Sequence, residues 1–401
     1  MTDYIIEKER KTVIKDSCDV FVAGGGIAGV TAALAAAREG AKVILADKQC
    51  ILGGLATSGL ITFFLAICDG EGRQVSFGMT EELLRLSVKR GPQGIYPKAW
   101  LHGGTLEEKI ALRFETQFNA SSYAIDLEQM LIEKGVKILY DTRVCDVNVD
   151  GDKITAVVVE NKSGRIAYSV KSVIDATGDA DIYQLTGSET DVHKTGNVLC
   201  AWNYGIKDGK VVINMQGWSD LSGEYKGIED VKPLTNRKFS GLDGEEISEM
   251  LTLSHAEMLK TYEKKKAEDN SYEMNMIPTI PQLRMTRKIV GAYTMDYSEM
   301  HKEFPDSIGM VSDWAKPGPV FEIPFRTLYG EKIKNLISAG RCTSATDRMW
   351  NITRCIPCCT VTGQAAGVAA AMTDSFPELD VKKLQERLTQ SGVVLHEKDL
   401  A

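Results

Sequence analysis

Strand-length apolar runs alternate with glycine-bearing turns along this chain. The first run begins at Asp19, reaches Ala23 and meets Gly24-Gly25-Gly26-Ile27-Ala28-Gly29. A helical pattern over residues 30–39 follows and stops at Gly40, and a second apolar run, 41–46, ends at Asp47. Residues 5–17, polar at their end, predict a short edge strand ahead of the turn. Helices are expected over 80–90 and 126–134, each closed by a glycine, with a strand over 136–140. A loop-rich stretch, 91–120, lies between those helices. Period-two runs over 144–148, 154–161 and 165–170 predict a three-stranded meander, followed by a buried strand over 172–175. From 185 to 325 aromatic and polar residues mix, with a strand over 198–204 and a charged helix over 245–268. Another strand runs into Gly340, and a helix of small residues is expected to start near Thr362-Gly363-Gln364. The tail after 375 reads as helical.

Chemistry enters with the spacing of the glycines. Gly24, Gly26 and Gly29 form G-x-G-x-x-G between a strand and a helix, the context that gives this short motif its meaning. Gly24 allows the tight turn, Gly26 lets a diphosphate approach the backbone, and Gly29 lets the helix lie on the strand. The free N–H groups of that helix then face the anion. Asp47, about twenty residues on, can accept from ribose hydroxyls. The loop Lys48 to Gly59 holds a second pair, Gly53-Gly54, ahead of Thr57. A nicotinamide domain has no use for such a loop, whereas FAD extended along the protein does. Ala176-Thr177-Gly178 is a further small-residue turn at a strand end.

Composition narrows the class. At 401 residues two or three domains are expected. A net charge of −8 argues against nucleic acid or an anionic membrane as main partner. Nine scattered cysteines without an export signal fit reduced thiols and a cytoplasmic setting. No membrane-length apolar run occurs, and no second G-x-G-x-x-G marks a nicotinamide domain. Hydrolase and kinase signatures are missing too.

Several blocks together resemble the FAD-dependent oxidoreductase family, of the glutathione-reductase-like class. They are Ile323-Pro324-Phe325-Arg326-Thr327-Leu328, Asn335-Leu336-Ile337-Ser338-Ala339-Gly340-Arg341, Pro357-Cys358-Cys359-Thr360-Val361-Thr362-Gly363-Gln364 and the paired arginines Arg284 and Arg287. The resemblance implies an α/β fold, a Rossmann-type FAD-binding domain with an inserted α+β substrate domain. Its parts would be 1–184, with the meander at about 144–170, a substrate domain at 185–325, a return segment at 326–375 and a helical tail at 376–401. It also implies non-covalent FAD held by Gly24, Gly26, Ala28, Gly29, Asp47, Lys48, Gly53, Gly54 and Thr57. Val144 would meet the adenine, Ala176, Thr177 and Gly178 the adenosine side, and Gly340, Arg341, Gly363 and Ala366 the far end.

The expected activity is hydride transfer between flavin N5 and a small organic substrate with an anionic or carbonyl group. Arg354 is the first choice to orient it, ahead of Arg284, Arg287, Arg326 and Arg348, because a guanidinium grips carboxylate in two-pronged fashion. His102, on a loop, is a candidate acid or base. Cys342, Cys355, Cys358 and Cys359 crowd before the last motif. Cys359 matches a motif cysteine, and the group reads as buried thiols, as a redox dithiol at Cys355 and Cys358, or as a metal cluster. A flavin-linked thiol–disulfide oxidoreductase and a non-catalytic FAD-binding subunit of an electron-transfer complex are the rival readings. The latter implies an electron donor or acceptor protein as partner.

Overall fold

The computed structural model describes residues 5, 7, 9–215 and 235–400. Strand β1 (Val13–Ala23) leads into helix α1 (Ile27–Arg38) and β2 (Val43–Ala46). Helix α2 (Ala120–Glu133) precedes β3 (Lys137–Leu139), and a meander of β4 (Arg143–Asp150), β5 (Lys153–Asn161) and β6 (Gly164–Asp175) follows. Then come β7 (Thr190–Val192), β8 (Trp202–Lys207), β9 (Lys210–Met215), α3 (Gly244–Glu268), β10 (Glu273–Met276) and β11 (Arg287–Ile289). The chain closes with β12 (Ser307–Ser312), β13 (Val320–Pro324), β14 (Leu336–Ser338), α4 (Asp347–Thr353), α5 (Ile356–Met372) and α6 (Val381–Gln390).

The main sheet runs β3-β2-β1-β6, with parallel pairing throughout, and β6 carries β5 and β4 antiparallel beyond it. β14 also pairs with β6, in parallel, over residues 173–175. This is the α/β class expected. Two elements differ from the sequence pattern. The edge strand expected over 5–17 begins only at Val13 and continues to Ala23 as one strand inside the sheet, between β2 and β6. The separate strands expected over 165–170 and 172–175 are a single strand, β6. Its first half bonds to β5 and its last three residues to β14, while β1 lines the other side. A change of partner midway leaves no mark in a local apolar pattern.

α5 begins at Ile356, six residues before the start expected near Thr362. Pro357 stands in its first turn, where the missing N–H costs nothing and the fixed φ suits the helix. Thr362-Gly363-Gln364 is therefore mid-helix. The strand expected over 198–204 starts at Trp202 instead. Ahead of it the backbone is satisfied by side chains: Ser254 Oγ accepts from Cys200 N at 2.9 Å and Gln282 Oε1 from Ala201 N at 3.0 Å.

On the 185–325 side, β7 pairs with β11, and β8 lies between β9 and β10. A small core of Leu199, Cys200, Phe239, Met250, Met258 and Leu283 sits under α3. The hairpin β12–β13 belongs elsewhere: Ile308, Val311, Phe321 and Ile323 share the large cluster of α1 and α5. The tail is tied down by Ser307 Oγ donating to Leu395 O (2.6 Å) and by His396 on Glu322 (3.0 Å).

α1 and α5 cross at glycines. A Cβ on Gly363 would stand 2.5 Å from Ala28 O, and one on Gly367 2.2 Å from Ala32 O. Both alanine variants must push the helices apart, an overpacking cost of about 1–3 kcal/mol each. In urea melts Gly363→Ala and Gly367→Ala are expected to lower the midpoint. Gly244→Ala, with nothing within 4 Å of its new methyl, should match the parent or exceed it.

Candidate functional site

The glycine turns meet at the carboxyl ends of β1, β6 and β14. Gly24 has φ +102°, and a Cβ there would fall 2.4 Å from Ala176 O, so the turn after β1 lies against the turn after β6. Gly53 N donates to Gly25 O at 2.8 Å, and a Cβ on Gly54 would be 3.1 Å from Gly26 Cα. Gly340, after β14, presses on Ala28, and its N–H donates to Thr362 Oγ1 at 3.0 Å. Turns from four parts of the chain thus share one spot.

Within that contact one position is open. A Cβ on Gly26 would meet nothing within 4 Å. Gly26 is also the N-cap of α1; no side chain caps the helix there, and its first turn holds no acid. An uncapped helix N-terminus behind an open glycine is an anion site. Ser58, next to Thr57, adds a buried hydroxyl without a hydrogen-bond partner. A diphosphate-bearing cofactor fits these residues.

Asp47 is buried, and its carboxylate accepts from Gly25 N and from Gln49 N at 2.6 Å. Burial raises its pKa, and the two N–H bonds pull the other way. It ties the loop after β2 to the Gly24–Gly26 turn. Lys48 is exposed and acts electrostatically on Asp181. Thr57 is buried and donates to Leu52 O at 2.5 Å. Val144 is half-buried in β4 opposite Val159. Thr177 donates through N and Oγ1 to Asp175 Oδ1, at 3.1 and 2.7 Å. Asp175 also accepts from Ile182 N, yet burial pushes its carboxyl up to about 6. Arg341 lies over Gly178 and donates to Asp179 Oδ1 at 2.6 Å and to Leu283 O. Its charge locks the turn after β6 to the turn after β14. Ala366 is packed in the α1–α5 core.

The thiols are dispersed in function. Cys355 Sγ donates to Asn351 O, Cys359 Sγ to Arg354 O and Cys342 Sγ to Asp175 O. All nine cysteines are free, and Cys358 is in the main core. Burial pushes the Cys359 thiol up to about 12 and holds Cys342 and Cys358 well above the ordinary range. Thiol–disulfide exchange needs a thiolate, and this setting withholds it. Among the described residues no His, Cys, Asp or Glu group is arranged to hold a metal.

Arg354 caps the end of α4, one residue before the N-cap of α5, and is half-buried. Its backbone N–H donates to Trp350 O at 3.1 Å. Arg287 bonds Asp179 O and Asp181, Arg326 grips Asp306 with two nitrogens, and Arg348 lies 3.9 Å over the Tyr297 ring. Arg284 is buried near Asn197, whose Oδ1 takes its N–H. His102 is exposed and pairs with Tyr96 at 2.7 Å; among the described residues no hydrogen bond or ring contact joins it to the glycine turns.

A cluster beside Arg354 escaped sequence reasoning. Lys288 is buried with its Nζ 2.7 Å from Asp191, 3.0 Å from Asp347 and 4.4 Å over the Trp350 ring. His193 meets the same ring edge-on at 5.7 Å. Trp350 Nε1 donates to Arg341 O at 2.6 Å, joining the cluster to the Gly340 turn. These residues come from β7 and the position after it, β11 and α4, with no common spacing. An inventory of the chain's five histidines would have been the sole pointer.

The sequence matches the model of the family "FAD dependent oxidoreductase" over residues 19–200 and 194–388. An NADH:fumarate oxidoreductase from Klebsiella pneumoniae (strain 342) is 27% identical over 191 residues, 40% of this chain and 20% of that protein. The chain therefore spans far less than that relative's length. Among solved structures, p-nitrophenol 4-monooxygenase PnpA from Pseudomonas putida DLL-E4 is similar at 11% identity and TM-score 0.49, covering 94% of this chain and 84% of that one. The 3-ketosteroid-delta4-(5alpha)-dehydrogenase from Rhodococcus jostii RHA1 has 15% identity and TM-score 0.43, covering 89% and 97%. The family match takes in nearly the whole chain, all four turns of the site and α5, so this protein belongs to the FAD dependent oxidoreductases and uses FAD as its cofactor.

Proposed function

We propose that this enzyme moves a hydride between FAD and a small organic substrate bearing an anionic or carbonyl group, placed by Arg354. The observation that supports it is the open, uncapped α1 N-terminus at Gly26, where four turns meet. Gly24, Gly26, Ala28 and Gly29 would hold the diphosphate, Asp47 the ribose and the Val144 backbone the adenine, with Lys48 alongside. Ala176, Thr177 and Gly178 would border the adenosine side, and Gly53, Gly54, Thr57 and Ser58 the flavin side. Gly340, Arg341, Gly363 and Ala366 would support the far end. Bound FAD supplies a two-electron hydride acceptor or donor.

The chain's own work is positioning and charge. α5 starts two residues after Arg354, so the positive helix end and the guanidinium favour an anion together. The helix end contributes about 0.3–1 kcal/mol, up to about 2 where buried. Arg354 supplies a two-pronged grip on carboxylate. The helix start expected near Thr362-Gly363-Gln364 gives way to this earlier one at Ile356.

The thiol–disulfide alternative has little support, since burial keeps Cys358 and Cys359 protonated. A separate electron donor or acceptor protein remains compatible with this reading, as does a purely FAD-binding role within a larger complex. Rapid reoxidation of the photoreduced holoprotein by a small organic acceptor separates the enzyme from the binding subunit. Among the described residues no single helix is long and apolar enough to cross a membrane; α4 and α5 pass that test only as a pair bent by 83°. We place the enzyme in the cytoplasm on the strength of its thiol content.

Two glycine variants test the FAD site. Gly26 has φ −64° and ψ 176°, which alanine adopts freely, so Gly26→Ala should melt close to the parent. Its methyl would occupy diphosphate space, and FAD affinity should drop about 100-fold, roughly 3 kcal/mol. Undiminished yellow colour in that variant would sink the assignment. Gly29→Ala, whose Cβ would stand 1.9 Å from Gly24 O, should fail to fold instead.

Arg354→Gln removes a charged hydrogen bond of about 1.5–3 kcal/mol, so kcat/KM should fall roughly 10–150-fold with FAD retained. Unchanged kcat/KM would move the anion grip elsewhere. Iodoacetamide at pH 8 should modify exposed Cys50 first and leave turnover intact. Turnover lost in step with alkylation of Cys355 or Cys358 would restore the thiol reading.

A further inference from the structure

We propose that His193 is the acid–base residue of this enzyme, and that its substrate is a small carboxylate carrying a hydroxyl, or its keto form, on the neighbouring carbon. The inference rests on the hydride-transfer reading above and deepens it. His193 is 8% exposed, and neither ring nitrogen has a hydrogen-bond partner. An unsatisfied buried polar atom costs about 1–3 kcal/mol, so two on one ring call for a partner that arrives later. A neutral imidazole presents one N–H donor and one acceptor. The complementary group both accepts and donates, as a hydroxyl does.

The surroundings fit a ring that rests neutral and carries charge briefly. Asp347 Oδ2 is 3.6 Å from Nδ1, too far for a hydrogen bond yet near enough to steady an imidazolium. Lys288 stands beyond the Trp350 ring with Asp191 and Asp347 on its ammonium, and Arg354 acts on His193 through space. Burial, with those two cations, lowers the ring's pKa, and Asp347 opposes. Arg354 N–H donates to Trp350 O at the end of α4 and its charge acts on His193, so a carboxylate at Arg354 and a hydroxyl at His193 belong to one neighbourhood.

The step balances as follows. The substrate O–H bond breaks and its proton passes to the His193 nitrogen turned from Asp347. The carbon-bound hydrogen would leave with its electron pair, as a hydride that bound FAD can accept, and the C=O bond would form. The substrate would lose the two electrons that bound FAD can take up, and the imidazolium would release its proton to water. Reduction of the keto acid runs the same transfers backwards.

The experiment mixes holoenzyme anaerobically with lactate, malate or 2-hydroxyglutarate and follows flavin bleaching. At least one acid should bleach the parent. His193→Gln, which keeps a donor and an acceptor but takes up no proton, should retain FAD and bleach at least about 100-fold more slowly. Its residual rate should lose the parent's pH dependence near neutrality. No bleaching of the parent by any of the three, or a variant within about threefold of it, overturns the proposal. Failure to bind FAD at all would instead remove the reading beneath it.

A second readout needs no turnover. Imidazole nitrogen NMR of the parent holoenzyme, titrated with oxamate, should move one resonance saturably, that of the histidine titrating below the ordinary range. Five unmoved histidines overturn the proposal even where the variant does not fold. Stability adds a sign. The folded ring binds protons less readily than the unfolded one, so stability is full above the unfolded pKa of about 6.5 and declines as pH falls through it. His193→Gln should flatten that part of the decline.

Discussion

Everything at this site depends on backbone meeting backbone where side chains have been left out. Gly29 lets α1 close on Gly24 O, Gly24 lets the first turn close on Ala176 O, and Gly363 and Gly367 let α5 settle on Ala28 O and Ala32 O. Protein interiors are packed tightly enough that one methyl at such a contact displaces an entire helix. Segments some 300 residues apart become one rigid cradle in this way, and within it Gly26, whose Cβ would touch nothing, is left facing outward. Space at Gly26 has meaning because its neighbours have none.

That logic is why the cofactor half was legible in the chain. A strand, a turn and a helix that must approach both each other and a phosphate leave glycine no substitute at fixed offsets, so Gly24, Gly26 and Gly29 announce themselves. What stayed hidden was context rather than chemistry. β6 reads as two strands because its apolar pattern cannot say that its neighbour changes from β5 to β14 midway. α5 reads as starting at Thr362 because a proline among cysteines looks like a loop, although Pro357 is well placed in a first turn. The six residues matter: they bring the positive helix end beside Arg354.

The substrate half was barely legible, and electrostatics explains it. In sequence Arg287 and Arg326 are candidates to grip a substrate and Arg341 to border the cofactor, but they are committed to Asp181, Asp306 and Asp179. A buried guanidinium without a carboxylate would be costly, so pairing within the fold is the default fate of such residues. The crowded cysteines mislead in the same direction. Their proximity suggested redox chemistry, yet desolvation outweighs the helix end and the nearby arginines, and the thiols stay protonated.

Lys288 shows how the same accounting turns into specificity. With Asp191 and Asp347 both on its ammonium, the buried lysine is balanced inside the cluster and adds little field beyond it. Asp347 is thereby drawn toward Lys288, at 3.0 Å, and stands off from His193, at 3.6 Å. A closer carboxylate would hold the imidazole permanently protonated; a more distant one would let burial forbid the charge altogether. At this spacing burial dominates and lowers the ring's pKa, so the imidazole rests neutral, and Trp350 packs against both Lys288 and His193. The carboxylate charge that could have kept His193 protonated is held by the lysine instead.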